Sequence, residues 1–307
     1  MTAGPEPIFD RRSVRLHRDR AAARIDGADA LLAAIADRLL DRLDDTTRRF
    51  FRALDLGGRH GLVAERLRER GIPFVVSADL SPRLAARAAR AGPAVAADEE
   101  WLPFAPASFD LVVSCLSLHW VNDLPGTLIQ IRRILVPDGL FLAVMPGLGT
   151  LAPLRAALLE AEAELAGGAS PRVAPFADLA DAAALLQRAG FALPVADSDT
   201  LTVTYADPLS LIRDLRALGE TNPVAARSRR IPPRALLPSA FARLPRDGEG
   251  RVALPLVLLT LTGWAPAESQ PKPLRPGSAT ARLADALGAV EHAAGETVPL
   301  APFRVAR

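Results

Sequence analysis

The amino-acid sequence predicts an α/β fold with a doubly wound, mostly parallel sheet. Three observations between residues 49 and 147 predict it. Short apolar runs suit buried strands, amphipathic segments separate these runs, and glycines such as Gly71 and Gly92 close the helical segments. Parallel strands need a crossover between them, and right-handed crossovers place helices on both faces of the sheet.

The elements follow in chain order from these patterns. Apolar residues at helical spacing between 27 and 43 predict an amphipathic helix that starts near Asp29. Predicted strands cover 52–56, 73–79, the start of 94–124, 110–115 and 140–145, and predicted helices cover 62–70, 82–91 and 126–134. Beyond Pro146 we expect helices at 151–165, 179–189 and 209–218 and strands at 200–205 and 253–264. Four prolines from 266 to 276 predict an extended tail.

Composition argues against several classes of protein. Apolar residues make up 50% of the 307, which allows a sizeable core, and the net charge of +2 gives no basic excess for nucleic acid. Cys115 is the only cysteine, so no internal disulfide is expected, and the histidines lack metal-ligand spacing. Neither a signal peptide nor a membrane-spanning apolar run is visible. We therefore expect a soluble, cytoplasmic protein that holds no metal.

Glycines and an acid follow the first two predicted strands. Residues 54–61 read LDLGGRHG, in which Asp55 precedes Gly57, Gly58 and Gly61, and glycine lets a chain turn sharply. Asp79 ends the second predicted strand. An acid there can accept hydrogen bonds from both ribose hydroxyls of a nucleotide and would repel the 2′-phosphate of NADP, whereas NAD stays open.

A third acidic element follows the next strand. Asp98 is placed to accept from an adenine amino group, and an apolar neighbour such as Trp101 could cover the ring; the alternative is an acidic surface loop. The predicted cofactor contacts are completed by Leu80, Glu99 and Ser114.

These motifs resemble those of class I S-adenosylmethionine (SAM) methyltransferases. The pattern there is Asp/Glu-x-Gly-x-Gly-x-Gly, and Asp55, Gly57 and Gly61 match it while Arg59 replaces the middle glycine. The resemblance implies SAM as cofactor and a Rossmann-like, seven-stranded sheet whose last two strands form an antiparallel hairpin. It implies an N-terminal helical arm or lid (1–48), a SAM-binding core (49–147), substrate-side helices with the closing hairpin (148–265) and an extended tail (266–307).

A narrower resemblance rests on longer segments. The sequences ADEEWLPF (97–104), SFDLVVSCLSLHWVNDLP (108–125), DLRALGETN (214–222) and RPGSAT (275–280) are similar to the methyltransferase-fold assembly factor of respiratory complex I, a family credited with arginine hydroxylation. This implies a bacterial protein that modifies an arginine of an NADH dehydrogenase subunit, with room for peripheral contact at the inner membrane. Two alternatives stay open. One is a SAM-dependent O-methyltransferase of a small or carrier-bound carboxylate, of the malonyl-acyl-carrier-protein type, and the other is a non-catalytic assembly chaperone.

The catalytic residues are less clear from the sequence. Methyl transfer depends on in-line positioning more than on acid–base help. His119 and Trp120 follow the fourth core strand, where ligands bind in such sheets, although packing and turn capping explain them equally well. Asp214 and Glu220 could receive a guanidinium, or could be surface charges. The His17-x-Asp19 pair spells part of an iron triad, which we interpret as coincidence because no matching distal histidine is recognised.

Overall fold

The computed structural model describes residues 6–271, 285 and 287–290. The chain divides into two compact units, residues 1–268 and 269–307. The fold below is that of the first unit, since few residues of the second are described. The RPGSAT segment (275–280) and most of the predicted tail lie outside the described residues.

One sheet organises the first unit, with the strand order β3-β2-β1-β4-β5-β7-β6. The strands are β1 (Arg52–Leu56), β2 (Phe74–Asp79), β3 (Ala94–Ala96), β4 (Phe109–Cys115), β5 (Leu135–Pro146), β6 (Ala192–Tyr205) and β7 (Val252–Trp264). The neighbours among β1 to β5 are parallel, and β7 runs antiparallel to both β5 and β6. The predicted doubly wound, mostly parallel, seven-stranded sheet with a closing hairpin is confirmed.

Helices cover both faces of this sheet. They are α1 (Arg11–Ala21), α2 (Ala30–Leu40), α3 (Leu62–Glu69), α4 (Pro82–Ala88), α5 (Leu124–Ile134), α6 (Ala152–Ala166), α7 (Leu179–Arg188), α8 (Pro208–Ala217) and α9 (Leu236–Ala242). Because side chains alternate along a strand, Leu111 and Val113 of β4 pack in the core that holds α2 and α3. Val112 packs on the other face, in the core that holds α5 and α7.

Helices inserted around β6 and β7 form a third apolar cluster. Leu154 and Leu158 of α6 pack there with Leu211 of α8, Leu236 of α9 and Leu254 of β7. The cluster lies on the side of the chain that the sequence assigns to the substrate. In the part of the chain that the structure describes, no helix is long and apolar enough to cross a membrane.

Some element boundaries differ from the predicted ones. The helix expected at 27–43 is interrupted, with a 3₁₀ turn at Ile25–Gly27 before α2 and a second at Asp41–Asp45 after it. The strand expected at 200–205 begins at Ala192, because the edge strand β6 pairs with β7 on one side only and tolerates the polar stretch ADSDT. Edge strands carry such polar residues without cost to the core.

Strand β4 lies at the centre of the sheet and is buried along its whole length. Its Asp110 carboxylate accepts the backbone N–H groups of Phe51 and Arg52, each at 2.9 Å, which ties β4 to the start of β1. Burial raises the pKa of the Cys115 thiol at its other end to about 12.

Candidate functional site

The carboxyl ends of β1 and β2 meet at a buried carboxylate. Oδ2 of Asp55 accepts from the backbone N–H of Ala64 and the hydroxyl of Ser77, both at 3.2 Å, while Oδ1 is buried without a hydrogen-bond partner. Burial raises the pKa of Asp55 to about 7, since the two hydrogen bonds offset only part of the lost hydration. Near neutral pH the Asp55 carboxyl group, next to the glycine loop, is therefore present in both its protonated and its ionised form.

This environment predicts a pH-dependent effect of Asp55→Asn. The folded-state pKa of about 7 lies above that of the unfolded chain, near 4, so the wild type loses stability as the pH rises between these values. The asparagine variant lacks this loss. Urea unfolding should therefore show Asp55→Asn gaining roughly 3 kcal/mol relative to wild type between pH 4.5 and pH 8. A constant difference between the two proteins across this range would contradict the prediction.

The glycine loop after β1 turns tightly. The N–H groups of Gly57 and Gly58 both donate to the carbonyl of Ala78, at 2.7 and 3.0 Å. Gly57 has φ +72°, and a Cβ added there would stand 2.0 Å from Oγ of Ser117. The loop is thus closed against the segment after β4.

Gly57→Ala is expected to destabilise the fold by roughly 3 kcal/mol, from a left-handed backbone plus a side-chain clash. Gly71→Ala is the matched control, because Gly71 has φ +87° but open space around its added Cβ. Thermal unfolding of both variants separates the two contributions. Equal losses would show that Ser117 gives way without cost.

Asp79 ends β2 beside this loop and is 1% exposed. Its Oδ1 accepts from the N–H of Ser81 at 2.7 Å, and its Oδ2 accepts from the N–H of Arg59 at 3.0 Å. Burial raises its pKa despite the nearby Arg18 guanidinium, whose Nη1 lies 3.4 Å from Oδ2. The carboxylate stands where the sequence predicts a ribose contact.

Helix α1 reaches into the same edge with arginines. Arg18 is fully buried, and it donates to Oε1 of Glu99 at 2.7 Å and to Oγ of Ser117 at 2.8 Å. Burial alone would raise the pKa of Glu99, but the guanidinium groups of Arg18 and Arg11 outweigh it and hold that pKa well below its usual range. Arg11 also donates to Asp98.

The sequence predicts an N-terminal helical arm or lid here, at residues 1–48, but not the ion pairs of Arg11 and Arg18. The available signal was the spacing of Arg11 and Arg18. Residues seven apart lie on one face of a helix, so both arginines point the same way. An unpaired run of acids, Asp98 to Glu100, was the matching signal on the other side.

A second buried cluster forms around Glu220, after α8. Its Oε2 accepts from Nε1 of Trp120 at 2.9 Å and contacts Nε2 of His119 at 2.9 Å, while Oε1 pairs with Arg59. Burial would raise the pKa of Glu220, but His119 and Arg59 hold it well below its usual range. Nδ1 of His119 is buried without a hydrogen-bond partner among the described residues.

Arg59 is the residue that departs from the glycine pattern, and in the structure its side chain is buried and hydrogen-bonded. Its backbone is left-handed, with φ 52°, and its side chain is 2% exposed. The guanidinium donates to the carbonyl of Leu116 at 2.9 Å and to that of Leu218. Arg59 therefore links the glycine loop to the segment that carries Glu220.

Beside the Glu220 cluster lies a cavity of about 320 Å³. Its walls come from β6, β7, α6, α8 and α9, together with His119, Trp120 and Glu220. The helices that the resemblance assigns to the substrate side thus enclose a cavity that reaches the loop after β4.

Most predicted site residues gather at the sheet edge, but not all of them. Asp55, the loop glycines, Asp79 and Glu99 lie there, and Ser114 is buried with its hydroxyl unpartnered. Leu80 packs near the cluster of Phe9 and Trp120. Trp101 is 78% exposed, on the loop side away from the core. Asp214 interacts with Tyr205 and is not among the residues that line the cavity.

Comparison with known proteins decides the family. The methyltransferase domain model matches residues 54–143. "Arginine-hydroxylase NDUFAF5, mitochondrial" of Danio rerio is 38% identical over 91% of this chain and 89% of its own length. The chain belongs to the NDUFAF5 arginine-hydroxylase family. It is an enzyme of the SAM-dependent methyltransferase superfamily, and the methyltransferase domain implies SAM as its cofactor.

This NDUFAF5 family member is also similar to a second kind of enzyme and to a solved structure. A malonyl-[acyl-carrier protein] O-methyltransferase of Halorhodospira halophila is 37% identical over 82% of this chain and 87% of its own length. The YcgJ protein of Bacillus subtilis has a TM-score of 0.53 at 16% identity, covering 75% of this chain and 99% of its own, and it shares the fold.

The residues at the sheet edge fit SAM in their chemistry, with one condition. Acceptors for ribose and adenine stand at the ends of adjacent strands, as Asp79 and Asp98. In this conformation, however, Arg18 and Arg11 of α1 hold these two carboxylates, and Ser117 closes on Gly57. Part of the acceptor capacity of these two carboxylates is therefore taken up by α1 in this conformation.

Proposed function

We propose that this NDUFAF5 relative binds SAM and modifies an arginine of a respiratory NADH dehydrogenase subunit. It would act in the bacterial cytoplasm, with the acceptor subunit reached at the inner membrane surface. The proposal is supported by the arginine-hydroxylase relative, which spans nearly the whole chain.

One observation supports the proposal that the substrate is an arginine side chain. Buried and half-buried carboxylates at this edge already hold guanidinium groups: Glu99 holds Arg11 and Arg18, and Glu220 holds Arg59. Charge-assisted hydrogen bonds to a planar guanidinium are strong and directional. The edge therefore has the chemistry that an arginine side chain of a partner protein needs, and the carboxylates that pair with the intramolecular arginines are the acceptors that we propose for it.

The cofactor would be held by Asp55, Asp79 and Asp98, with Gly57 and Gly61 allowing its close approach. When bound, SAM supplies an activated methyl group. The residues of this chain would fix its ribose and adenine and, through α1, exclude water from the edge. Arginine hydroxylation converts a C–H bond into C–OH, a two-electron oxidation that SAM does not supply; it balances with O₂ and a donor of two electrons and two protons, the second oxygen atom leaving as water.

SAM binding is tested by calorimetry with SAM and its demethylated product. Wild type should bind both, and Asp98→Asn should bind them more weakly, by a free energy of about 1–2 kcal/mol, because one adenine acceptor is lost. Glu249→Gln, an exposed turn residue, is the control. Binding of NAD but of neither SAM nor its product would refute the proposed cofactor.

The acceptor is tested by mass spectrometry of the NADH dehydrogenase subunits in strains with and without the gene. The expected result is one arginine that carries an added oxygen only when the gene is present. Loss of assembled dehydrogenase with no change in any subunit mass would instead support the non-catalytic chaperone. Normal assembly with unchanged masses would reject both.

The apolar cavity favours a second candidate, an O-methyltransferase of a carrier-bound carboxylate. A carboxylate acceptor needs no general base, and one relative is a malonyl-[acyl-carrier protein] O-methyltransferase. Loss of malonyl-carrier-protein methyl ester in the deletion strain, with normal NADH dehydrogenase, is the result that would favour this candidate over the first.

A further inference from the structure

The cavity beside Glu220 is larger and more apolar than an arginine side chain needs. Its volume of about 320 Å³ lies in the range of small-molecule sites. Twelve of its 29 lining residues are leucine. Among the deepest are Leu154, Leu211, Leu236 and Leu254, each at most 3% exposed. An apolar cavity of this kind holds water poorly and binds apolar ligands instead.

The types of side chain that line the cavity indicate which apolar ligand fits. Planar rings are usually held by stacked aromatic side chains, and here aromatic rings are a minority of the lining. Flexible leucine side chains contributed by α2, α6, α8, α9 and β7 suit a flexible, unbranched chain. The wall therefore favours an aliphatic chain over a planar ring.

The charges of the lining point to the other end of the ligand. Its one carboxylate, Glu220, is engaged by Arg59, His119 and Trp120. Its two cations are Arg172, which pairs with Glu162, and Arg216, which is exposed on α8. Exposed lining residues such as Arg216, Pro232 and Leu237 mark where the cavity meets solvent. An anionic head group at this rim would find a compatible charge.

We propose that the cavity between α6, α8, α9 and the β6–β7 hairpin binds an unbranched aliphatic chain with an anionic head, with the chain inside and the head at Arg216. This inference goes beyond both proposed reactions and rests on neither. An aliphatic chain with an anionic group is offered by a free fatty acid, through its carboxylate, and by the acyl-phosphopantetheine arm of a carrier, through its phosphate, and the test separates these sources.

The first experiment titrates the full-length protein, without cofactor, with straight-chain fatty acids of increasing length from octanoate to palmitate. Each added methylene should tighten binding about three- to fourfold until the cavity is full, after which the affinity should level off. Acyl-4′-phosphopantetheine of the same chain lengths, which keeps an anionic group, is the second arm of the experiment. Stronger binding of acyl-phosphopantetheine indicates a carrier-bound chain, and stronger binding of the acid indicates a free one.

Matched variants locate the chain. Leu158→Trp, inside the cavity, should weaken binding at least tenfold, whereas Leu159→Trp, next to it on α6 but 38% exposed and outside the lining, should leave it unchanged. Circular dichroism checks that both variants fold. If Leu158→Trp does not fold, competition for the cavity by a brominated fatty acid that quenches Trp120 gives the same information.

The head group is tested with Arg216→Gln, an exposed position. Wild type should prefer a fatty acid to the alcohol of the same length, and the variant should lose that preference. Binding without chain-length dependence, or equal effects of the Leu158 and Leu159 variants, would overturn the proposal. Failure of these titrations leaves the SAM and arginine experiments unaffected.

Discussion

Replacing Arg18 by methionine is expected to lower the free energy of unfolding by about 3–5 kcal/mol. Arg18 is the buried cation between Glu99 and Asp79, and its replacement removes an ion-pair partner from both buried carboxylates. Urea unfolding at pH 7, followed by circular dichroism, measures the loss. Arg15→Met is the control, since Arg15 is exposed on the same helix, and it should change stability by no more than about 0.5 kcal/mol.

The pH dependence of this effect has a defined sign. The pKa of Glu99 is lowered in the fold, so its stabilising contribution is present above the unfolded value near 4 and is lost as the pH falls through the folded one. The gap between wild type and Arg18→Met should therefore narrow below about pH 4. A gap that stays constant on acidification would show that packing of the arginine stem, not its charge, causes the loss.

The same variant probes the competition between α1 and the cofactor. With Arg18 gone, Asp79 keeps the N–H bonds from Arg59 and Ser81 and loses its cation. Folded Arg18→Met should bind SAM more tightly than wild type, because the cofactor no longer has to displace a guanidinium. Weaker binding would mean that Arg18 contacts the cofactor directly.

Glu220→Gln is expected to cost about 3–5 kcal/mol, since the guanidinium of Arg59 stays buried without its carboxylate. The pKa of Glu220 is lowered, so the wild type loses this contribution as the pH falls below about 4, and the variant does not. Thermal unfolding at pH 7 and at pH 3.5 measures both effects.

Asp214→Asn is the control for this second prediction. Asp214 stood beside Glu220 as a candidate, but its neighbour is Tyr205 and it does not line the cavity. Its substitution should change stability by less than about 1 kcal/mol. Equal losses from the two variants would place both carboxylates in one network.

The sequence predicted the sheet well because its evidence is local. Apolar runs and glycine-ended helices define each crossover, and the acids at the end of β2 and shortly after β3, Asp79 and Asp98, follow from strand ends alone. Boundaries moved where tertiary pairing decides them, as in β6, whose polar start is held by β7.

The site was only partly predictable because its pairings are long-range. Nothing within a few residues of Arg18 shows that it pairs with Glu99, 81 positions away. In the sequence, Arg59 is only a departure from the glycine motif. Its partner Glu220 is 161 positions away, so the sequence does not show the pairing. Asp214 and Glu220 looked alike in sequence, and only the end of α8 separates their environments.

The lone thiol of β4 makes the opening of the sheet measurable by chemical labelling. Cys115 is buried in the middle of the sheet, and burial raises its pKa to about 12, so almost none of it is thiolate at neutral pH. A thiol reagent can modify it only after the sheet opens. The rate of labelling therefore reports how often the central strands separate from their helices, and it can be compared between wild type and Arg18→Met, each with and without SAM.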